Sequence, residues 1–389
     1  MLLKKYEDFG GMLELPKVIE IEPFESCNLR CRMCHVSYAP PGPKPQINFE
    51  ALKKLESISG KYVVFGSNFE PTAHPRFADM ISLFVDYGFN MDLVTNGTLL
   101  TDKIIETMAN GTFNKITFSF DGMRKKTYEE IRRNANFEKT LEIIKKTRQA
   151  FLDKGKDTSF SINYVLMRSN LEELIEAIDF WGENQFDMLG FIFMVMRDEN
   201  EYLKSQNLHP ILDYVNQKLD EAAEYLINGY KKIYISSPRY SNTPLRKKYP
   251  RGFPSAGGLV RSRSRVKRNM PKLNKNGFQL GEFPGMPFKA CQSAFTFARI
   301  LPDGNVRLCD QFVAGNINEE SFQDIWFGEK ATNWRSKLLM DSSACESCNY
   351  FLQCLNQHKL NTKDSRNLLS SNLREEARKK VLRAMAQKE

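Results

Sequence analysis

Six times between residues 17 and 196, a short apolar run is followed by a segment whose apolar residues recur at helical spacing. The strand-like runs are Lys17–Glu22, Tyr62–Gly66, Met91–Thr95, Lys115–Asp121, Ser159–Leu166 and Leu189–Val195. Between them, Phe49, Leu52, Leu55 and Ile58 share a helix face behind a capping Asn48, and Ile104, Ile105 and Met108 follow a capping Thr101. Phe77, Met80, Ile81 and Phe84 mark another face, as do Leu171, Leu174, Ile175 and Ile178. The helical stretch Thr127–Lys154 breaks near Asn134–Asn136. Strands separated by helices pair in parallel, because each crossover returns the chain to the same end of the sheet. Right-handed crossovers curl such a sheet, so the expected fold class is α/β, a partial (β/α)6 barrel. Chemistry in barrels sits at the C-terminal ends of the strands.

Beyond the sixth unit, residues 201–230 read as a helix opened by His209-Pro210 and continued by Ile211, Val215, Leu219, Ala222 and Leu226, with a short strand at Lys232–Ser236. The net charge is +9, yet between Pro238 and Lys275 stand twelve Lys/Arg and no Asp/Glu. Without those twelve, 44 basic residues face 47 acidic ones, a net −3. The segment is rich in Pro, Gly and Ser and reads as loop. Its densest part, Arg261-Ser262-Arg263-Ser264-Arg265-Val266-Lys267-Arg268, suits an anionic substrate, such as a phosphorylated or nucleotide-activated sugar or an acidic peptide; a charge run alone is usually a solvated loop. A nucleic-acid groove is disfavoured, because Phe253 is the sole aromatic between Arg251 and Arg268. No apolar run approaches the ~18 residues of a membrane span, and the N-terminus lacks a signal-peptide core. The expected compartment is a reducing cytoplasm.

The eight cysteines are Cys27, Cys31, Cys34, Cys291, Cys309, Cys345, Cys348 and Cys354, three towards one end of the chain and five towards the other. In such a compartment, clustering points to metal rather than disulfides. Cys27, Cys31 and Cys34 follow the first strand closely in a Cys-x3-Cys-x2-Cys spacing. Three thiolates can hold three irons of a [4Fe–4S] cluster and leave the fourth open to a small molecule.

That spacing, just past a first strand, resembles the radical S-adenosylmethionine (SAM) superfamily. The resemblance implies a TIM-like barrel in which Cys27, Cys31 and Cys34 ligate the cluster and SAM chelates the open iron. It further implies reductive cleavage of SAM to a 5′-deoxyadenosyl radical that takes a hydrogen atom from substrate, with the electron delivered by a flavodoxin- or ferredoxin-type donor. Met33 fills the usually aromatic slot before the last ligand. Asn68-Phe69-Glu70-Pro71 stands where the family carries Gly-Gly-Glu-Pro, so both glycines are replaced while Glu70, Pro71 and the following His74-Pro75 match. By resemblance, Glu70 contacts the SAM amino group, Ser119 and Asp121 of Ser119-Phe120-Asp121-Gly122 reach the ribose, and Asn163 lies on the SAM-proximal fifth strand. Tyr128-Glu129-Glu130-Ile131-Arg132 resembles the segment whose Arg binds the SAM carboxylate, with Arg132 first choice and Arg133 the fallback. A guanidinium suits that task because its fork donates two bonds to one carboxylate.

Towards the C-terminus, Cys291 and Cys309 bracket a hairpin-like segment with its turn at Asp303-Gly304, followed by helix-like Ser321–Trp326 and by Cys345, Cys348 and Cys354. This order resembles the small α+β SPASM/Twitch extension, which holds auxiliary [4Fe–4S] clusters. The full pattern has seven cysteines; five here suffice for one cluster, with Cys291, Cys309, Cys345 and Cys348 as first-choice ligands, Cys354 as substitute or spare, and His358 where a further cysteine would stand. From ligand chemistry alone, structural zinc is a rival.

The domains expected are an N-terminal segment (1–16), a radical SAM core (17–236), a basic linker or substrate loop (237–287), an auxiliary-cluster domain (288–358) and a polar C-terminal helix (359–389). The expected activity is oxidation or epimerisation of a small polar, phosphorylated or sugar-like substrate under anaerobic conditions. The alternative is a peptide maturase making a crosslink, thioether or oxidised residue; about 16 residues before the first strand leave no room for a fused leader-binding domain. A non-catalytic iron–sulfur or zinc scaffold is the reading from another class.

Overall fold

All six strand-like runs are strands: β1 (Val18–Ile21), β2 (Tyr62–Phe65), β3 (Asn90–Thr95), β4 (Thr112–Ser119), β5 (Ser159–Leu166) and β6 (Met188–Phe193), followed by β7 (Tyr234–Ser236). The computed structural model describes residues 15–194, 201–228, 233–236, 280–282, 289–291, 293–309 and 311–340. The basic segment Pro238–Lys275, Cys345, Cys348, Cys354, His358 and the C-terminal polar stretch lie outside the described residues. The described chain forms two units, one drawn from Met1–Ile21, Ile47–Lys61 and Pro271–Glu389, the other from Glu22–Gln46 and Tyr62–Met270.

The second unit is a parallel α/β sheet whose strands β2 to β7 lie side by side in chain order, the TIM-like winding expected. Its helices are α2 (Phe77–Asp86), α3 (Asp102–Asn110), α4 (Lys125–Ile131), α5 (Phe137–Asp153), α6 (Leu174–Glu183), α7 (Glu201–Ser205) and α8 (Leu212–Asn228). The Thr101 side chain accepts from Ile104 N–H to start α3, and Asn136 accepts from Lys139 N–H to start α5. Between α4 and α5, Asn134 takes φ 73°, which ends one helix before the next begins. The expected single helix over 201–230 is instead α7, a 3-10 turn at His209–Ile211 and then α8, because Pro210 suits a first turn and not a helix interior.

The core follows the apolar faces. Phe77, Met80, Ile81 and Phe84 of α2 are buried against Phe65 and Phe89, with Phe65–Phe84 ring centroids 5.1 Å apart. Phe120 stacks on Tyr128 at 4.1 Å and meets Trp181 edge-on. Each such side chain contributes about 1.5–3 kcal/mol through burial.

In the first unit, Asn48 accepts from Glu50 N–H to start α1 (Phe49–Leu52), which passes into a 3-10 turn over Lys53–Ile58. β8 (Leu280–Glu282) pairs antiparallel with β9 (Lys289–Cys291). After the short α9 (Ser293–Thr296), β10 (Phe297–Ile300), β11 (Asn305–Cys309) and β12 (Phe312–Asn316) form the expected hairpin and one strand more, and α10 (Phe322–Phe327) and α11 (Glu329–Met340) follow. β1 pairs in parallel with β10, from Val18↔Phe297 to Ile21↔Ile300. The 47–61 segment is bonded to this unit as well: Lys54 Nζ donates to the Ile317 and Asn318 carbonyls at 2.8 and 3.0 Å. Among the described residues, no helix is long and apolar enough to cross a membrane.

Candidate metal and cofactor site

The Cys27–Cys34 loop is held by partners distant in sequence. Ser26 C=O accepts from Glu70 N–H at 3.0 Å, while Arg30 and Arg32 N–H donate to the carbonyls of Arg133 and Ile131 at the end of α4. Cys31 C=O accepts from Ser37 Oγ and from Cys34 N–H. Met33 packs on the apolar cluster of Ile131, Met167, Met194 and Leu203. Arg32 pairs with Glu130 at 2.9 Å and lies 3.6 Å over the Tyr202 ring.

Cys31 is buried, at 7% exposure, and Cys27 and Cys34 are half-buried. Burial pushes the Cys31 thiol up to about 12, opposed by the Arg132 charge and reinforced by Asp121, Cys27 and Cys34. Burial also raises Cys27, against the Leu29 N–H. The Cys27 and Cys31 thiols therefore stay protonated at neutral pH, and ligating a metal releases their protons. Nitrogen donors face two of the sulfurs: Leu29 N at 3.4 Å and Asn96 Nδ2 at 3.7 Å from Cys27 Sγ, and Arg132 Nη1 at 3.9 Å from Cys31 Sγ. Among the described residues, no three Cys, His, Asp or Glu side chains converge on a single-ion site; thiolates that each serve a different iron of a cube have no need to.

Arg132 is 6% exposed and Asp121 fully buried, and they form an ion pair, Nη2 to Oδ2 at 2.7 Å. Burial opposes the Arg132 charge, but Asp121 and Cys31 outweigh it and lift its pKa; burial raises Asp121, against the pull of Arg132. Arg132 Nε has no hydrogen-bond partner among the described residues. Asp121 also accepts from Val165 N–H at 2.7 Å. Asp121 thus has the Arg132 guanidinium and the Val165 backbone as partners. Ser119, Asn163 and Gly190 stand in register across β4, β5 and β6. Ser119 and Asn163 are half-buried, and Gly190 leaves space beside Asn163: a Cβ there would lie 3.4 Å from Asn163 Oδ1.

Glu70 is buried, at 3% exposure, and its carboxylate accepts from Thr72 N–H, Thr72 Oγ1, Thr95 Oγ1 and Asn96 N–H. Burial raises its pKa and these donors pull it back. The carboxylate thus joins the ends of β2 and β3. A glycine that this turn does require stands two residues before Asn68. Gly66 has φ +79°, and a Cβ there would come within 2.6 Å of the Val94 carbonyl oxygen. Asn68 is accommodated because Glu22 accepts from both its backbone N–H and its side-chain amide.

Sequence reasoning missed three residues that shape this site. Asn96 touches Cys27; Asn170 donates to the Asp121 and Val165 carbonyls; and the buried Glu173 accepts from Met123 N–H, just before α4, and from Thr127 Oγ1 in its first turn. Thr95-Asn96-Gly97 at the end of the third strand and Met167-Arg168-Ser169-Asn170 after the fifth were the available signals. In the C-terminal group, Cys309 ends β11 opposite Phe312, and Cys291 ends β9.

A radical SAM superfamily domain matches residues 21–181, and an iron–sulfur cluster-binding domain of the SPASM type matches residues 291–354. The chain belongs to the radical SAM superfamily. Its second domain removes the zinc alternative, and membership of an enzyme family removes the non-catalytic scaffold. The radical SAM domain binds a [4Fe–4S] cluster and SAM, and the SPASM domain binds auxiliary iron–sulfur clusters. The thiols and N–H donors of the Cys27–Cys34 loop fit such a cluster, since donors to sulfur are how proteins support its thiolates. The AdoMet-dependent heme synthase of Methanosarcina barkeri is 25% identical over 329 residues, 81% of this chain and 83% of the relative. The mycofactocin maturase MftC of Mycobacterium tuberculosis is 21% identical over 361 residues, 90% of this chain and 79% of the relative. SAM-bound SuiB of Streptococcus suis shares the fold with a TM-score of 0.60 at 16% identity, covering 90% of this chain and 74% of SuiB.

Proposed function

We propose that Cys27, Cys31 and Cys34 ligate the open-iron cluster, and that this enzyme removes a hydrogen atom from an unactivated C–H bond of its substrate. When bound, cluster and SAM supply the electron and the hydrogen-abstracting radical. The observation that carries the reading is Arg132, a buried guanidinium between Asp121 and Cys31 with Nε still unsatisfied. Arg132 binds the SAM carboxylate, and Asp121 fixes its direction. Ser119 and Asn163, half-buried in one row, take the ribose side. Glu70 supports the site by joining the ends of β2 and β3. Titrating SAM into the iron-loaded protein checks this: Arg132→Gln should weaken binding by ~30-fold, about 2 kcal/mol, with iron content unchanged. Equal affinity in the variant contradicts the assignment.

Cys291, Cys309, Cys345 and Cys348 are the proposed ligands of one auxiliary cluster, with Cys354 as substitute. Full thiolate ligation leaves no iron for substrate, so this cluster relays electrons, and the external donor is of flavodoxin or ferredoxin type. The substrate is small, polar and anionic, phosphorylated or sugar-like, and its fate is oxidation or epimerisation. The twelve basic residues between Pro238 and Lys275 in an otherwise slightly acidic chain support this. Replacing Arg261, Arg263 and Arg265 with Gln should raise substrate KM sharply and spare SAM cleavage; an unchanged KM removes the anionic reading. The second reading, peptide maturation, is favoured by similarity to MftC over 90% of this chain.

A further inference from the structure

Asn96, at the end of β3, is 4% exposed, and its backbone N–H and both ends of its side-chain amide are engaged. Its backbone N–H donates to Glu70 Oε2 at 2.6 Å. Its side-chain Oδ1 accepts from Thr98 N–H at 2.9 Å and from Thr98 Oγ1 at 2.6 Å. Its Nδ2 donates to Asn28 Oδ1 at 3.0 Å and faces Cys27 Sγ at 3.7 Å. Asn28 Nδ2 completes a ring by donating to Thr98 Oγ1 at 2.8 Å.

The chemistry of the partners fixes which end of the amide meets the sulfur. A backbone N–H can only donate, so the atom facing Thr98 N–H is the oxygen. The NH2 group is therefore directed to Asn28 and Cys27. The same ring prevents the amide from rotating away. Glu70 holds the Asn96 backbone, Thr98 holds its oxygen, and Asn28 takes one amide proton and leaves the other for the sulfur.

We infer that Asn96 is a positioning residue that sets the reduction potential of the Cys27-ligated cluster through its N–H···S contact, and that it couples this sulfur to Glu70. The inference rests on Cys27 being a ligand. A donor to thiolate sulfur stabilises the added negative charge of the reduced cluster more than the oxidised state, and so raises the potential. Cys27 receives two donors, Leu29 N–H and Asn96, which makes it the sulfur best placed for such tuning.

The test is an EPR-monitored redox titration of the whole iron-loaded protein, following the signal that changes when SAM is added. Asn96→Asp replaces the donor with a carboxylate oxygen at nearly the same volume. The ratio of reduced to oxidised cluster at fixed potential should fall at least tenfold, a downward shift of about 59 mV for one electron. Thr98→Val removes the hydroxyl that orients the amide and should give about a threefold fall, roughly half that shift; this milder change serves if Asn96→Asp fails to assemble. An unchanged potential in an iron-loaded variant overturns the inference. Cys27→Ala separates it from its premise: retention of the SAM-responsive signal in that variant means Cys27 is no ligand, whatever the Asn96 variants show.

Discussion

The loop carrying Cys27, Cys31 and Cys34 and the hairpin carrying Cys309 place their thiols by different means. In the loop, three thiols lie within eight residues, and the backbone between them belongs to neither strand nor α-helix. Its shape comes from hydrogen bonds to Glu70, Thr98, Ile131 and Arg133. In the hairpin, Cys309 is set by the β11–β12 ladder, and its companions are spread from Cys291 to Cys354. A loop defined by single contacts is sensitive to single substitutions. A thiol on a ladder can be removed while the ladder stays, because its backbone bonds do not involve the side chain.

That contrast can be broken in several ways. Changing Cys27, Cys31 and Cys34 together to Ala should eliminate the SAM-responsive cluster, while the auxiliary iron and the far-UV circular dichroism remain; iron and sulfide assays with spectroscopy check this. Cys309→Ala should do the converse. The auxiliary signal is lost and substrate turnover falls by roughly tenfold or more, yet SAM cleavage without substrate continues. If Cys309→Ala also abolishes SAM cleavage, the two regions are not independent.

Two further substitutions sharpen the account of the loop side. Asp121→Asn leaves the buried Arg132 without its counter-charge and should lower the unfolding free energy by about 3–5 kcal/mol. Chemical denaturation of the iron-free protein measures this, and Asp121→Asn with Arg132→Gln should restore part of the loss. Glu70→Gln puts an amide NH2 among donors that need acceptors and should cost about 1–3 kcal/mol. A neutral result there would mean that Glu70 does not join the strand ends.

The strands were legible because each is a short, continuous apolar run, and the Cys27–Cys34 loop because its three thiols lie close together in sequence. The partner of β1 was not legible. Val18 pairs with Phe297, and no local period records a pairing across that distance. Nor could the sequence show that Asp121 pairs with Arg132, since the two stand on separate elements and meet only once α4 packs. The ring of Asn28, Asn96 and Thr98 escaped for the same reason: each residue alone is an ordinary loop polar group.

The most direct test of the central claim is product analysis after anaerobic loading with iron and sulfide, followed by dithionite and SAM. The account predicts 5′-deoxyadenosine from the native chain and from Cys309→Ala, and none when Cys27, Cys31 and Cys34 are replaced. No 5′-deoxyadenosine from the loaded native chain, or equal amounts from the triple variant, would contradict it.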